Sequence, residues 1–143
     1  MAFNQYPKVV TRYVDEFEYE SVNETGNKVL VDMYDGDKKR SQSPTELLLT
    51  ALSACAAVDV AEILKKKRKS FTEFKVEASG VRREEHPRAF TEITLTFIVK
   101  SDNATIAEIE KLARMVVDKY CSVATTISDT VHIEVVGKVE GTE

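Results

Sequence analysis

Ser43-Pro44-Thr45-Glu46-Leu47-Leu48-Leu49-Thr50-Ala51-Leu52-Ser53-Ala54-Cys55 is the stretch on which the fold turns. Ser43 as N-cap, Pro44 at the first helical position and Glu46 three residues beyond the cap form a capping box, so a helix starts here. Its apolar residues, from Leu47 and Leu48 through Ala56 and Val58 to Ile63 and Leu64, surround the axis instead of marking one face. A helix apolar all round is expected to be buried all round. A chain with few strands has trouble covering such a helix alone, and closed twofold dimers are the commonest oligomer, so a homodimer is the expectation. The alternative is a monomer whose strands curl around the helix.

Around this helix the sequence reads as strands. Phe17, Tyr19 and Ser21, then Val29, Val31 and Met33, alternate with polar neighbours on either side of Asn23-Glu24-Thr25-Gly26-Asn27, a hairpin turn; a further strand covers Val9 to Val14. Phe74, Val76 and Ala78 begin one long strand, and Ile93, Leu95, Phe97 and Val99 mark a second, antiparallel to it, after Glu84-Glu85-His86-Pro87-Arg88. Thr105-Ile106-Ala107-Glu108 caps a second helix, whose stripe of Ile109, Leu112, Ala113, Val116, Val117 and Tyr120 should lie on a sheet. Val131 to Val135 is the last strand. The order gives an α+β fold with antiparallel sheets around a long buried helix.

Composition agrees with a globular chain: 43% of the 143 residues are hydrophobic, 31% are charged and three are proline. One domain spanning residues 1–143 is expected. The N-terminus lacks the basic start and apolar run of a signal peptide, and the uncharged run Leu47 to Val58 is too short to span a bilayer, so the expected location is cytoplasmic, with no membrane partner. A net charge of −4 gives no pull toward nucleic acid. The basic run Lys65-Lys66-Lys67-Arg68-Lys69 falls at a helix end, where cations complement the dipole.

The chemistry lies in the two cysteines, Cys55 and Cys121. In a reducing compartment two thiols far apart in sequence are seldom a structural staple, and a chain this long can bury a core without one. The pair is therefore a candidate for redox chemistry. Apolar company raises the pKa of a thiol at Cys55, and Asp59, four residues on, would raise it further. Cys121, opening a helical turn, is better placed to ionise because free backbone N–H groups favour a thiolate. His86 and His132 have no metal-ligand spacing with the cysteines, and no phosphate loop or serine-nucleophile motif is present, so neither metal nor cofactor is expected.

The Ser-Pro-x-Glu-Leu-Leu-Leu-x-Ala-Leu-x-x-Cys helix, the strand pair joined through His86-Pro87, and the helix leading to Cys121 and a last strand together resemble the OsmC/Ohr family. That family takes its names from osmotically induced protein C and organic hydroperoxide resistance protein, and the resemblance runs from about Tyr13 to Val136. It implies an OsmC-like fold, an intertwined homodimer with the cysteine helices at its centre, and thiol-dependent reduction of organic hydroperoxides near the interface. Cys55 matches the family's attacking cysteine and Cys121 its resolving cysteine. The peroxidases of the family place a glutamate directly after the helix-start proline, where this chain has Thr45, with Glu46 one residue later. They also carry an arginine in the first hairpin turn, and none stands between Asn23 and Asn27. The chain thus resembles a less characterised OsmC-like branch.

Those departures matter because a cation must lower the attacking thiol's pKa and polarise the peroxide. Arg12 and Arg88 are the leading substitutes, and Arg40 is the third. Glu46 is a candidate acid near the site, although nine residues of helix set it opposite Cys55 and its capping role is the simpler one. Two function classes follow: a dithiol peroxidase recycled by an external dithiol reductant, or a protein that binds a small apolar ligand and keeps its cysteines as pocket lining or as a slow redox sensor.

Overall fold

The computed structural model describes residues 3–141. The chain divides into two compact units, Met1–Leu48 and Leu49–Glu143, each with its own three-stranded sheet.

In the N-terminal unit, β1 (Val9–Asp15), β2 (Glu18–Asn23) and β3 (Lys28–Asp32) form an antiparallel meander. The β2–β3 turn is fastened by the Asn23 side chain, whose Oδ1 accepts from the N–H groups of Thr25 and Asn27, and Gly26 takes the positive φ of 82° that the turn needs. Little of this sheet is covered. Val9, Val10, Tyr13, Val29 and Leu30 are all exposed, and only Val31 and Asp32 are buried.

Helix α1 (Pro44–Lys66) begins where the capping box puts it: Glu46 N–H donates to Ser43 Oγ, and Ser43 N–H donates to Glu46 Oε1 at 3.0 Å. Complete burial of α1 is not what one chain achieves. Leu52, Ala56, Val60 and Leu64, a stripe at four-residue spacing, are buried, whereas Leu48 and Val58 are 40% and 51% exposed. A straight helix lying on one layer of side chains can hide only the face turned toward that layer. The reading of α1 as too short to span a bilayer also changes. The uncharged run ends at Asp59 but the helix continues, and an 18-residue window reaches a mean hydropathy of 1.9, so α1 is long and apolar enough to cross a membrane by length and composition alone. Its buried stripe is nonetheless spent on the protein core.

The C-terminal unit continues with β4 (Glu73–Arg82), β5 (Phe90–Lys100), α2 (Ile106–Met115), a π turn (Val116–Tyr120), α3 (Ser122–Thr126) and β6 (His132–Glu140). β4 and β5 are antiparallel, as their alternation indicates, but β6 runs parallel to β5, from Glu92 opposite His132 to Lys100 opposite Glu140. The expectation of purely antiparallel sheets is corrected here. The segment carrying α2 and α3 is long enough to return the chain to the start of β5, which a hairpin cannot do. β6 also outruns the expected Val131–Val135. Gly137 lets it pass under α2, where a Cβ would come within 2.8 Å of Glu110 Cγ and 3.2 Å of Ile106 O.

The core of this unit joins the α1 stripe to Ile93, Leu95, Phe97 and Val99 of β5 and to Ile109, Leu112 and Ala113 of α2. α2 lies on the sheet as its stripe predicts, with the Thr105–Glu108 capping box intact. Tyr120 departs from that stripe and is exposed, because the wider π turn rotates it off the α-helical face. Leu52 has no exposed surface, so Leu52→Ala should cost about 2–5 kcal/mol in urea unfolding, whereas Val58→Ala, at an exposed apolar site of the same helix, should cost far less.

Candidate functional site

The site is built in the C-terminal unit, where α1 presents Cys55 and the segment after α2 presents Cys121. The π turn makes the second placement. Cys121 N–H donates to Val116 O at 2.9 Å, a bond spanning five residues, and the chain then leaves the helix so that Cys121 becomes the N-cap of α3. Its sulfur accepts from Ala124 N–H at 3.4 Å and its carbonyl from Thr125 Oγ1 at 3.0 Å. π turns inserted in α-helices are frequent at functional sites because they re-aim a side chain without breaking the helix.

Cys121 is completely buried, Cys55 is partly exposed, and both are free thiols. Cys55 lies beside Cys121, near enough for the two sulfur groups to interact. The two cysteines, distant in sequence, thus meet.

Electrostatics at Cys121 run against the expectation that its helix start favours a thiolate. Burial pushes its pKa up to about 11, the Ala124 N–H pulls the other way, and the neighbouring Cys55 raises it again. A short helical turn offers only the N–H groups of Ala124 and Val123, which do not offset the loss of water around a sulfur anion. Among the largest influences on this thiol none is a cationic side chain.

Of the other expected site residues, Arg12, Arg40 and Glu46 have ion-pair partners of their own. In the N-terminal unit, the Arg12 guanidinium lies 3.0 Å from Glu20 and the Arg40 guanidinium 2.8 Å from Glu18. Glu46 is bound by the Ser43 backbone N–H, by Lys39 Nζ at 2.9 Å and by the Ser43 hydroxyl, which together hold its carboxyl down at about 2. In the C-terminal unit Arg88 is exposed on the strand connection, where its carbonyl accepts from Arg82 Nε, and among the described residues its own guanidinium enters no ion pair. Among the described residues no group of three metal-binding side chains comes together.

Two residues near α1 escaped sequence reasoning, Asp32 and Lys39. Asp32 is wholly buried; its Oδ2 accepts from Arg40 N–H at 2.8 Å, and Lys39 Nζ lies 3.7 Å from Oδ1. Burial raises the Asp32 pKa, but the N–H groups of Arg40 and Ser41 and the Lys39 charge outweigh it, and the carboxyl stays below its ordinary value. Lys39 thus joins Asp32 to Glu46 and fixes the approach to α1. An acid at the end of an alternating strand gives no sign of this.

The OsmC-like protein family model matches residues 36–136, from the turn before α1 into β6. The chain belongs to that family. Protein YhfA of Escherichia coli K12 is 35% identical over 122 residues, 85% of this OsmC-like chain and 90% of YhfA. A hypothetical protein from Aquifex aeolicus VF5 is 25% identical, with a TM-score of 0.82 over 98% of this chain and 100% of that one. The organic hydroperoxide resistance protein OhrB of Bacillus subtilis, at 15% identity, shares the fold with a TM-score of 0.64 over 93% of this chain and 98% of its own.

Two outcomes follow from these geometries. Iodoacetamide at pH 8 should alkylate Cys55 well before Cys121 in the folded protein, and both at similar rates in denaturant, as peptide mass mapping will show. Glu46 has its pKa depressed from 4.5 to about 2, so its contribution to stability is complete above pH 4.5 and is lost as pH falls toward 2. Glu46→Gln should therefore flatten the acid limb of a stability–pH profile over that interval, measured by thermal melts.

Proposed function

We infer that the protein is a thiol-dependent redox enzyme that reduces organic hydroperoxides through Cys55 and Cys121. The observation that carries this reading is the pairing of a partly exposed thiol on α1 with a wholly buried one after the π turn. That asymmetry supports a division of roles in which a substrate reaches Cys55 and Cys121 meets only what Cys55 has become. The Cys55 thiolate attacks the O–O bond of ROOH, and the alkoxide leaves as ROH after taking a proton, giving Cys55–SOH. Cys121–SH then condenses with the sulfenic acid, forming the disulfide and releasing water. An external dithiol restores both thiols and is itself oxidised to a disulfide.

Two features support a homodimer as the working form. α1 keeps apolar side chains such as Leu48 and Val58 in the open, and the N-terminal sheet leaves Val9, Val10, Tyr13 and Leu30 uncovered. Exposed apolar area on this scale marks a protein interface. A cytoplasmic location suits two thiols that must be kept reduced. Of the arginines able to supply the cation, Arg12 and Arg40 hold carboxylates, whereas Arg88 has none among the described residues, so Arg88 is the leading candidate in the assembled dimer. A second reading, a slow redox sensor or small apolar ligand carrier, draws on the high pKa of Cys121 and the absence of a cation among its strongest influences.

Cumene hydroperoxide consumption with a dithiol donor separates the two. Wild type should turn over; Cys55→Ser should abolish it; Cys121→Ser should allow one equivalent of peroxide to be consumed and then stop. Arg88→Met should lower kcat/KM about tenfold or more, the loss of roughly 1.4 kcal/mol of transition-state stabilisation. Sedimentation should give a species of twice 16.1 kDa. Wild-type consumption no faster than background would leave the sensor or carrier reading.

A further inference from the structure

The basic run Lys65–Lys69 has no part in the thiol site, and its members do different work. Lys65 and Lys66 occupy the last turn of α1, where they offset the helix dipole. Arg68 takes a positive φ of 59°, and the helix closes with Arg68 N–H on Lys65 O at 3.0 Å and Lys69 N–H on Leu64 O at 2.9 Å, a role glycine usually fills. Lys69 Nζ binds Asn103 O at 2.8 Å and Glu108 at 3.0 Å. Lys67 enters no ion pair among the described residues.

Lys67 instead borders a cavity of about 210 Å³ between the end of α1 and one stripe of α2. Leu64, Leu112 and Met115 form its apolar lining, and Lys67, Lys69 and Lys111 its charged one. Glu108 also borders it, with its carboxylate engaged by Lys69 and by Thr105. Lys111, like Lys67, has no ion-pair partner among the described residues. Lys67 and Lys111 are both exposed and border the cavity beside buried Leu64 and Leu112, so an anionic head group there would meet two ammonium groups that no carboxylate among the described residues pairs, with apolar surface next to it.

We propose that this cavity binds a short-chain anionic amphiphile, a fatty carboxylate of about octanoate size, with its head group at Lys67 and Lys111 and its chain on Leu64, Leu112 and Met115. The volume selects the length, since it falls below the roughly 300–1,000 Å³ that holds a drug-sized ligand. The mixed lining selects the chemistry: a free inorganic anion leaves the apolar surface wet, and a neutral alcohol leaves the lysines unpaired. The site is separate from the two thiols and does not depend on the peroxidase reading.

Isothermal titration of octanoate into the full-length protein at low salt tests it. One site per chain is expected, with a dissociation constant below about 1 mM, weakened about tenfold or more by Lys67→Glu with Lys111→Glu and by raised salt, which screens the head-group contacts. Met115→Trp, which fills the cavity but leaves every charge in place, should also block binding, while Cys55→Ser should bind as wild type. Unchanged circular dichroism spectra confirm that the variants fold. Failure to saturate, octanol binding as tightly as octanoate, or indifference to both the charge-reversal and the filling variants would overturn the proposal. So would loss of binding in Cys55→Ser, which would move the ligand to the thiol site. Adsorption to phosphatidylglycerol vesicles without binding of free octanoate would also overturn it, and would make the lysines a membrane-facing patch.

Discussion

An apolar helix that its own chain covers on one side only is the constraint on which this structure depends. Leu52, Ala56, Val60 and Leu64 are spent on the C-terminal core, and the remaining circumference of α1 is left to be covered. At about 25 cal/mol for each Å² of apolar surface removed from water, the uncovered faces of α1 and of the N-terminal sheet are a large unrealised stabilisation. Sequence alternation in β1–β3 and all-round apolarity in α1 thus have one common result, apolar side chains left facing water.

The same helix decides the character of the thiols. A sulfur on the α1 surface retains contact with water, while the sulfur brought to it by the π turn loses all of it. Desolvation acts against the charged form of Cys121 more strongly than the amide N–H groups of Ala124 and Val123 act for it. Cys121 is therefore held as a neutral thiol, while Cys55 is the sulfur that solvent can reach.

What was legible in the sequence was whatever short-range rules control. Both capping boxes form as Ser43–Glu46 and Thr105–Glu108 indicate, and the β4–β5 pairing follows its alternation. The meeting of Cys55 and Cys121 was legible only through family resemblance, because no local pattern encodes a contact between residues so far apart. The parallel sense of β6 was missed since a strand's alternation is the same whichever way its neighbour runs. The π turn was missed because its residues keep helical spacing, with only Tyr120 thrown off the stripe. The Asp32–Lys39–Glu46 chain was invisible for another reason: it depends on where a loop returns, and loop paths carry little periodic signal.

The parallel docking of β6 beside β5 bears on how the thiol pair comes into being. Cys121 lies on the crossover between these strands, and that crossover has nowhere to settle until the final strand adds its ladder to β5. Closing a long loop before any contact rewards it is the slow step of such topologies. During synthesis, Cys55 therefore emerges well before β6, the strand on which the Cys121 segment depends for its place. The contact between the two cysteines is thus one that forms late in such a topology.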